Sequence, residues 1–138
     1  MEQDIVQIRQ RAVKLAKEQV GKPYSQDLAI RTGPDYFDCS GLIYWAYKKA
    51  GGIKLPESCA KYAENPYGTV QQITRNQIGV GDILWCERNG VRHVGMYDGN
   101  GQIVNSVSNS FGHQGVCIVP LDDFLNKLNV TRYYRVNK

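Results

Sequence analysis

From Asp4 to Val20 apolar side chains recur every three or four positions, at Ile5, Ile8, Ala12, Leu15, Ala16 and Val20, with Gln, Arg and Lys between them. That period predicts an amphipathic helix with one buried face. Gly21 can take the left-handed C′ conformation and Pro23 cannot continue a helix, so the helix is expected to stop there. A loop follows through Tyr24 to Phe37. Asp38 is placed to cap a second helix, Cys39 to Ala50, whose buried side is marked by Leu42, Ile43, Ala46, Tyr47 and Ala50 and whose end is marked by Gly51-Gly52. The stretch Ile53 to Gly79 has no sustained period and reads as irregular chain with a short helix around Cys59 to Ala63.

Beyond that stretch the period becomes strand-like. Val80 to Glu87, Val91 to Tyr97, Gln102 to Val107, Gly115 to Val119 and Val130 to Val136 are rich in Val, Ile and Tyr and are separated by Gly, Asn and Asp. Pro120 to Leu128, with Leu121, Phe124, Leu125 and Leu128 at helical spacing, predicts a short helix before the last strand. Helices first and strands later imply an α+β fold in which the N-terminal helices pack on an antiparallel sheet of five to six strands.

A chain of 138 residues with 42% hydrophobic and 22% charged composition suits one core, so residues 1–138 are read as a single domain. The formal charge of +4 comes from 17 basic residues spread along the chain, with no run of Lys and Arg to grip a nucleic acid. No apolar stretch is long enough to span a membrane, and the N-terminus has no secretory h-region, so any export is expected to depend on something outside this sequence. The cysteines Cys39, Cys59, Cys86 and Cys117 lie at least 20 positions apart and form no Cys-x-x-Cys pair. Neither a zinc site nor any other cofactor is expected, and disulfides are not required at this size. Three of the four are read as small core hydrophobes.

Cys39 is different because it follows a cap. Its sulfur lies where the helix's unpaired N–H groups and positive dipole end favour a thiolate, although a buried cysteine could begin a helix for packing alone. His93 falls within Val91 to Tyr97. If Asp98-Gly99-Asn100 forms the following turn, Tyr97 pairs with Gly101 and His93 pairs with Asn105. Residues so paired share a face, so Asn105 could hold one imidazole nitrogen and leave the other for a thiol. This shared face requires an odd loop length, since an even one would turn Asn105 to the other face. Nucleophile, base and orienter would then be Cys39, His93 and Asn105.

Gly21-Lys22-Pro23-Tyr24, Phe37-Asp38-Cys39-Ser40-Gly41-Leu42-Ile43, Leu55-Pro56, Gly81-Asp82-Ile83-Leu84 and His93-Val94-Gly95-Met96-Tyr97 resemble, in this order, the signature of the NlpC family of cell-wall cysteine peptidases. The resemblance implies a papain-like fold, with Cys39 as nucleophile, His93 as base and Asn105 at the third polar position. It also implies that Tyr24 lines the pocket and that Asp38 and Ser40 bind substrate. The substrate implied is the peptidoglycan stem peptide, cut at the γ-linkage between D-glutamate and the diamino residue. Two features depart from the family pattern: the loop between Tyr24 and Cys39 is longer than usual, and Glu57-Ser58-Cys59 follows Leu55-Pro56 where the family commonly has Arg-Thr-Ser. The competing readings are an amidase or acyltransferase on the same fold and a non-catalytic wall-binding module. Action on bacterial cell wall, as a monomer, is the working expectation.

Overall fold

A computed structural model describes residues 4–137. Helix α1 (Ile5–Lys17) is capped by the Asp4 carboxylate, which accepts the Val6 N–H. It ends three residues earlier than its apolar period predicts. The N–H groups of Gln19 and Val20 bond to the carbonyls of Ala16 and Lys17, so the last turn tightens before Gly21. Gly21 has φ +97 and donates to the Val116 carbonyl, tying this exit to the sheet. Helix α2 (Cys39–Gly51) ends at Gly52, whose φ of 68 closes the helix in the left-handed cap expected of a glycine.

Six strands follow: β1 (Val70–Ile73), β2 (Ile83–Arg88), β3 (Val91–Tyr97), β4 (Gln102–Ser110), β5 (His113–Pro120) and β6 (Val130–Val136), with α3 (Leu121–Lys127) between the last two. They form one antiparallel sheet in the order β1-β6-β2-β3-β4-β5. The short helix expected near Cys59 is a 3₁₀ turn, Cys59–Lys61. β1 lies in a stretch read as irregular. It is an edge strand of four residues with Gln71 and Gln72 exposed, too short and polar to show a period. The expected strand from Val80 begins instead at Ile83, because Gly81 has φ +82 and the Asp82 side chain accepts the Gly79 N–H in a turn.

Alternation along the strands divides the core between the two faces of the sheet. Ile83, Trp85, Val94, Met96, Val104, Val116 and Tyr134 pack with Ile8, Ala12 and Ala16 of α1 and with Leu42, Ile43, Ala46 and Tyr47 of α2. Leu84, Cys86, Ile103, Val107, Cys117 and Val119 pack with Phe124 of α3 on the other face. The structure is therefore α+β, as expected, with α3 covering the face opposite the N-terminal helices.

Candidate active site

The strand carrying His93 and the strand carrying Asn105 part company at the site. The β3–β4 ladder pairs Tyr97 with Ile103 and Met96 with Val104, and the Asp98 N–H bonds to the Gln102 carbonyl. This differs from the expected register by two residues, since Tyr97 faces Ile103 and not Gly101. The Asp98 carboxylate explains the longer turn: it accepts the N–H groups of Asn100 and Gln102 and pairs with Lys17 at 2.7 Å. A shift of two preserves the face, so His93 and Asn105 become diagonal neighbours and His93 Nε2 lies 2.8 Å from Asn105 Oδ1. Asn105 is fully buried, and its Nδ2 donates to the Cys117 carbonyl at 3.4 Å.

Where the strands separate, the start of α2 comes in. Asp38 caps the helix by accepting the Gly41 N–H at 2.7 Å. Gly41 has no room for a side chain, because a Cβ would run into the Arg31 carbonyl and stand 2.7 Å from the Asp38 carboxylate. Gly95 is equally constrained, since a Cβ there would lie 2.5 Å from Ile103 and 3.0 Å from the Phe124 ring. These two contacts account physically for glycines in Asp-Cys-Ser-Gly and His-Val-Gly.

The sulfur of Cys39 meets three donors. Its thiol is held well below the usual range, first by a hydrogen bond from the Cys59 thiol. Burial opposes this, while the His93 ring, as hydrogen-bond partner and positive charge, and the Val94 N–H lower it further. Cys59 is correspondingly pushed up, by its bond to Cys39 and by burial. For His93 burial disfavours the charged ring, but the Cys39 sulfur and the Asn105 amide outweigh it and raise the imidazole above its ordinary value. With Nε2 taken by Asn105, Nδ1 is the nitrogen left for the sulfur. Both shifts run in the direction that favours a thiolate–imidazolium pair, with the amide behind the ring.

The long loop before Cys39 does not displace Tyr24. Residues 25–36 loop outward, with the N–H groups of Ile30 and Arg31 bonded to the Asp27 carbonyl, and Tyr24 bridges to Phe37, two positions before the nucleophile candidate. Phe37 is fixed by donating to the Pro23 carbonyl and accepting from Ser106 Oγ. Tyr24, Cys39 and His93 thus line one cleft of about 320 Å³, with Gln26, Arg92, Ser108 and Ser110 as polar neighbours and Val107, Phe111 and Leu128 as apolar wall. Burial, with the nearby Cys39 and Asp38 charges, pushes the Tyr24 phenol up to about 12, so it stays protonated at neutral pH and can donate a hydrogen bond. A larger depression of about 600 Å³ between α1 and the β3–β4 turn holds no nucleophile.

Asp38 and Ser40, expected to bind substrate, flank Cys39 in the chain but are buried and are not among the residues that line this cleft. Asp38 pairs with Arg31 at 3.2 Å, and burial followed by the Cys39 charge raises its carboxyl against the pull of the Gly41 N–H and Arg31. Ser40 Oγ donates to the Glu57 carbonyl at 3.2 Å. Arg31 and Glu57 line a second recess of about 300 Å³ with Ser58, Lys61, Pro66 and Tyr67. Arg31 and Cys59 escaped the sequence reading: one sits in the looped-out segment, and the other looked like one more core cysteine. His113 opens β5 opposite Ser110 and is exposed.

A cysteine at a helix start, a histidine on the adjoining sheet and an amide behind it form the arrangement that a papain-like thiol hydrolase requires. The chain belongs to the NlpC/P60 family, whose profile matches residues 21–121. It is 33% identical over 102 residues to the probable endopeptidase p60 of Listeria monocytogenes, covering 73% of this chain and 19% of that protein. It is 35% identical over 99 residues to the bifunctional muramidase/DL-endopeptidase CwlT of Bacillus subtilis, covering 68% of this chain and 28% of the relative. With the murein DD-endopeptidase MepH of Escherichia coli it shares 35% over 105 residues, covering 70% and 37%. The chain therefore spans less than half the length of these relatives. Among solved structures, NlpC2 from Trichomonas vaginalis superposes with a TM-score of 0.75 at 29% identity, covering 99% of this chain and 49% of that one. RipD from Mycobacterium tuberculosis, described as a non-catalytic NlpC/p60 domain protein adapted to peptidoglycan binding, superposes with 0.68 at 26%, covering 94% and 97%.

Proposed function

We propose that this chain is a cysteine endopeptidase that hydrolyses peptidoglycan stem peptides at the bond from γ-D-glutamate to the diamino residue. The observation that carries the reading is the continuous line from the Cys39 sulfur through the His93 ring to Asn105, opening on the cleft that Tyr24 also lines. The Cys39 thiolate attacks the amide carbonyl. Backbone N–H groups at the open end of α2 hold the oxyanion in this scheme. The proton on His93 passes to the leaving amine, which departs and leaves an acyl-thioester on Cys39. A water that gives its proton to His93 then attacks the thioester, releasing the acid and restoring the pair. No metal enters this scheme, and among the described residues no group of three or more His, Cys, Asp or Glu could hold one.

Selectivity rests on polar groups around the nucleophile. Tyr24 contacts the acyl chain as a protonated hydrogen-bond donor, while Asp38 and Ser40, which flank Cys39 and bond to Arg31 and to the Glu57 carbonyl, orient the neighbouring charges of the substrate. A γ-linked D-residue presents a long acyl chain of the wrong hand for ordinary protease pockets, so L-peptides should be poor substrates. The DL- and DD-endopeptidase names of the two relatives make the bond itself the point to test. A defined stem peptide is incubated with the protein and the product masses are read. Products split after D-glutamate support the reading; cleavage only at the sugar-proximal amide or within a cross-bridge refutes this bond. Among the described residues no helix is long and apolar enough to cross a membrane.

A further inference from the structure

Hydrolysis needs one thiol, and the site holds two. Cys59 opens the 3₁₀ turn Cys59–Lys61, and its Sγ lies 3.5 Å from that of Cys39. Both thiols are free and buried, yet Cys39 also lines the cleft, so a small molecule can reach it. The position of Cys59 is fixed from behind, because its carbonyl accepts the Trp85 indole N–H at 2.9 Å. Among the described residues the sulfur within hydrogen-bond distance of Cys39 is that of Cys59, whereas the Cys86 thiol donates to the His93 carbonyl at 3.2 Å and the Cys117 sulfur lies 3.6 Å from Asn105 Nδ2.

We propose that Cys39 and Cys59 form a peroxide-responsive pair, in which Cys39 is oxidised first and Cys59 resolves it to a disulfide that reversibly silences the site. The inference rests on Cys39 being the reactive nucleophile of the proposed hydrolase. A disulfide requires the sulfurs to approach to about 2 Å. Starting from 3.5 Å, this closure is within reach of side-chain rotation at the two cysteines. In the first step the Cys39 thiolate attacks hydrogen peroxide: an S–O bond forms, the O–O bond breaks, and the departing hydroxide leaves as water with a proton from His93. Cys39 is now a sulfenic acid. In the second step the Cys59 sulfur attacks the Cys39 sulfur, the S–O bond breaks, and the hydroxyl leaves as water with the Cys59 proton. Two thiols have lost two electrons and one peroxide has become two waters. A dithiol reductant reverses the change by exchange.

A cysteine with a resolving partner is spared the irreversible sulfinic and sulfonic states. The test exposes the purified protein to hydrogen peroxide, maps the peptides without reduction, and measures activity before and after dithiothreitol. The expected wild-type result is one linked pair of peptides, containing Cys39 and Cys59, with most of the lost activity restored by reductant. In Cys59→Ser and, as a second variant, Cys59→Ala, the Cys39 peptide should gain two or three oxygens. Each variant's recovery, taken as a fraction of its own starting activity, should be small. The proposal is overturned if wild-type Cys39 accumulates as sulfinic acid with no link to Cys59, or if the link joins Cys86 or Cys117 instead. The wild-type peptide map needs neither a folded variant nor a hydrolytic assay, so it reads the pair even if the hydrolase reading fails.

Discussion

Replacing Asn105 by alanine should slow hydrolysis without abolishing it. Asn105 is itself fully buried and its Oδ1 accepts from His93 Nε2 at 2.8 Å, so its loss leaves the ring without its rear partner and free to turn. A hydrogen bond to a charged group is worth about 1.5–3 kcal/mol, which corresponds to a loss of about 10- to 150-fold in rate. The imidazole itself stays, so the effect should fall well short of that in Cys39→Ala or His93→Ala. The loss should appear in kcat more than in KM, because the amide touches the base and not the substrate. Asn105→Asp keeps an acceptor at the same reach and should retain much more activity than Asn105→Ala. Steady-state kinetics on a defined stem peptide, with circular dichroism to verify folding, makes the measurement. A folded Asn105→Ala protein with unchanged kcat would refute the positioning argument, and one as inactive as Cys39→Ala would refute the hierarchy of roles.

Selective alkylation should report the ion pair. Cys39 should react at pH 6 faster than the other three cysteines, and His93→Ala, by removing the positive ring, should move its alkylation profile to higher pH; uniform labelling would contradict this. Asp98 should contribute to acid stability: burial opposes its charge, but Lys17 and the N–H groups of Asn100 and Gln102 outweigh that and hold its carboxyl below the usual value. A depressed folded-state value means the contribution is present above the unfolded carboxylate range and is lost as pH falls through the folded one. Asp98→Asn should therefore flatten the acid limb of the stability curve measured by urea denaturation. Gly95→Ala should destabilise by about 1–3 kcal/mol through the clash with Ile103 and Phe124, read as a lowered Tm. Activity should survive a chelator, whereas loss restored by zinc would overturn the metal-free scheme.

The elements legible in the sequence are those whose period or punctuation is local. Asp38 before Cys39 and Gly51-Gly52 after Ala50 mark both ends of α2, and β3 and β6 match their expected bounds. The face shared by His93 and Asn105 was also legible, because side-chain direction depends only on the parity of the turn. The register itself was not, since it is set by the Asp98 carboxylate gathering two N–H groups and Lys17, a tertiary contact invisible to turn rules. β1 was missed for the same kind of reason: Val70 to Ile73 become a strand only because β6 offers an edge. The meeting of Cys59 with Cys39 and the pairing of Arg31 with Asp38 join segments that sequence spacing cannot bring together.

In the proposed function a single sulfur, that of Cys39, performs the chemistry. Its most direct test is the release of soluble peptides from purified bacterial cell wall by the wild-type protein and by a folded Cys39→Ala variant, followed by mass spectrometry. Stem-peptide fragments are expected from the wild type and none above background from the variant. Equal release by both proteins would contradict it, and release by neither, with both still bound to the wall, would mark the chain as a binding module.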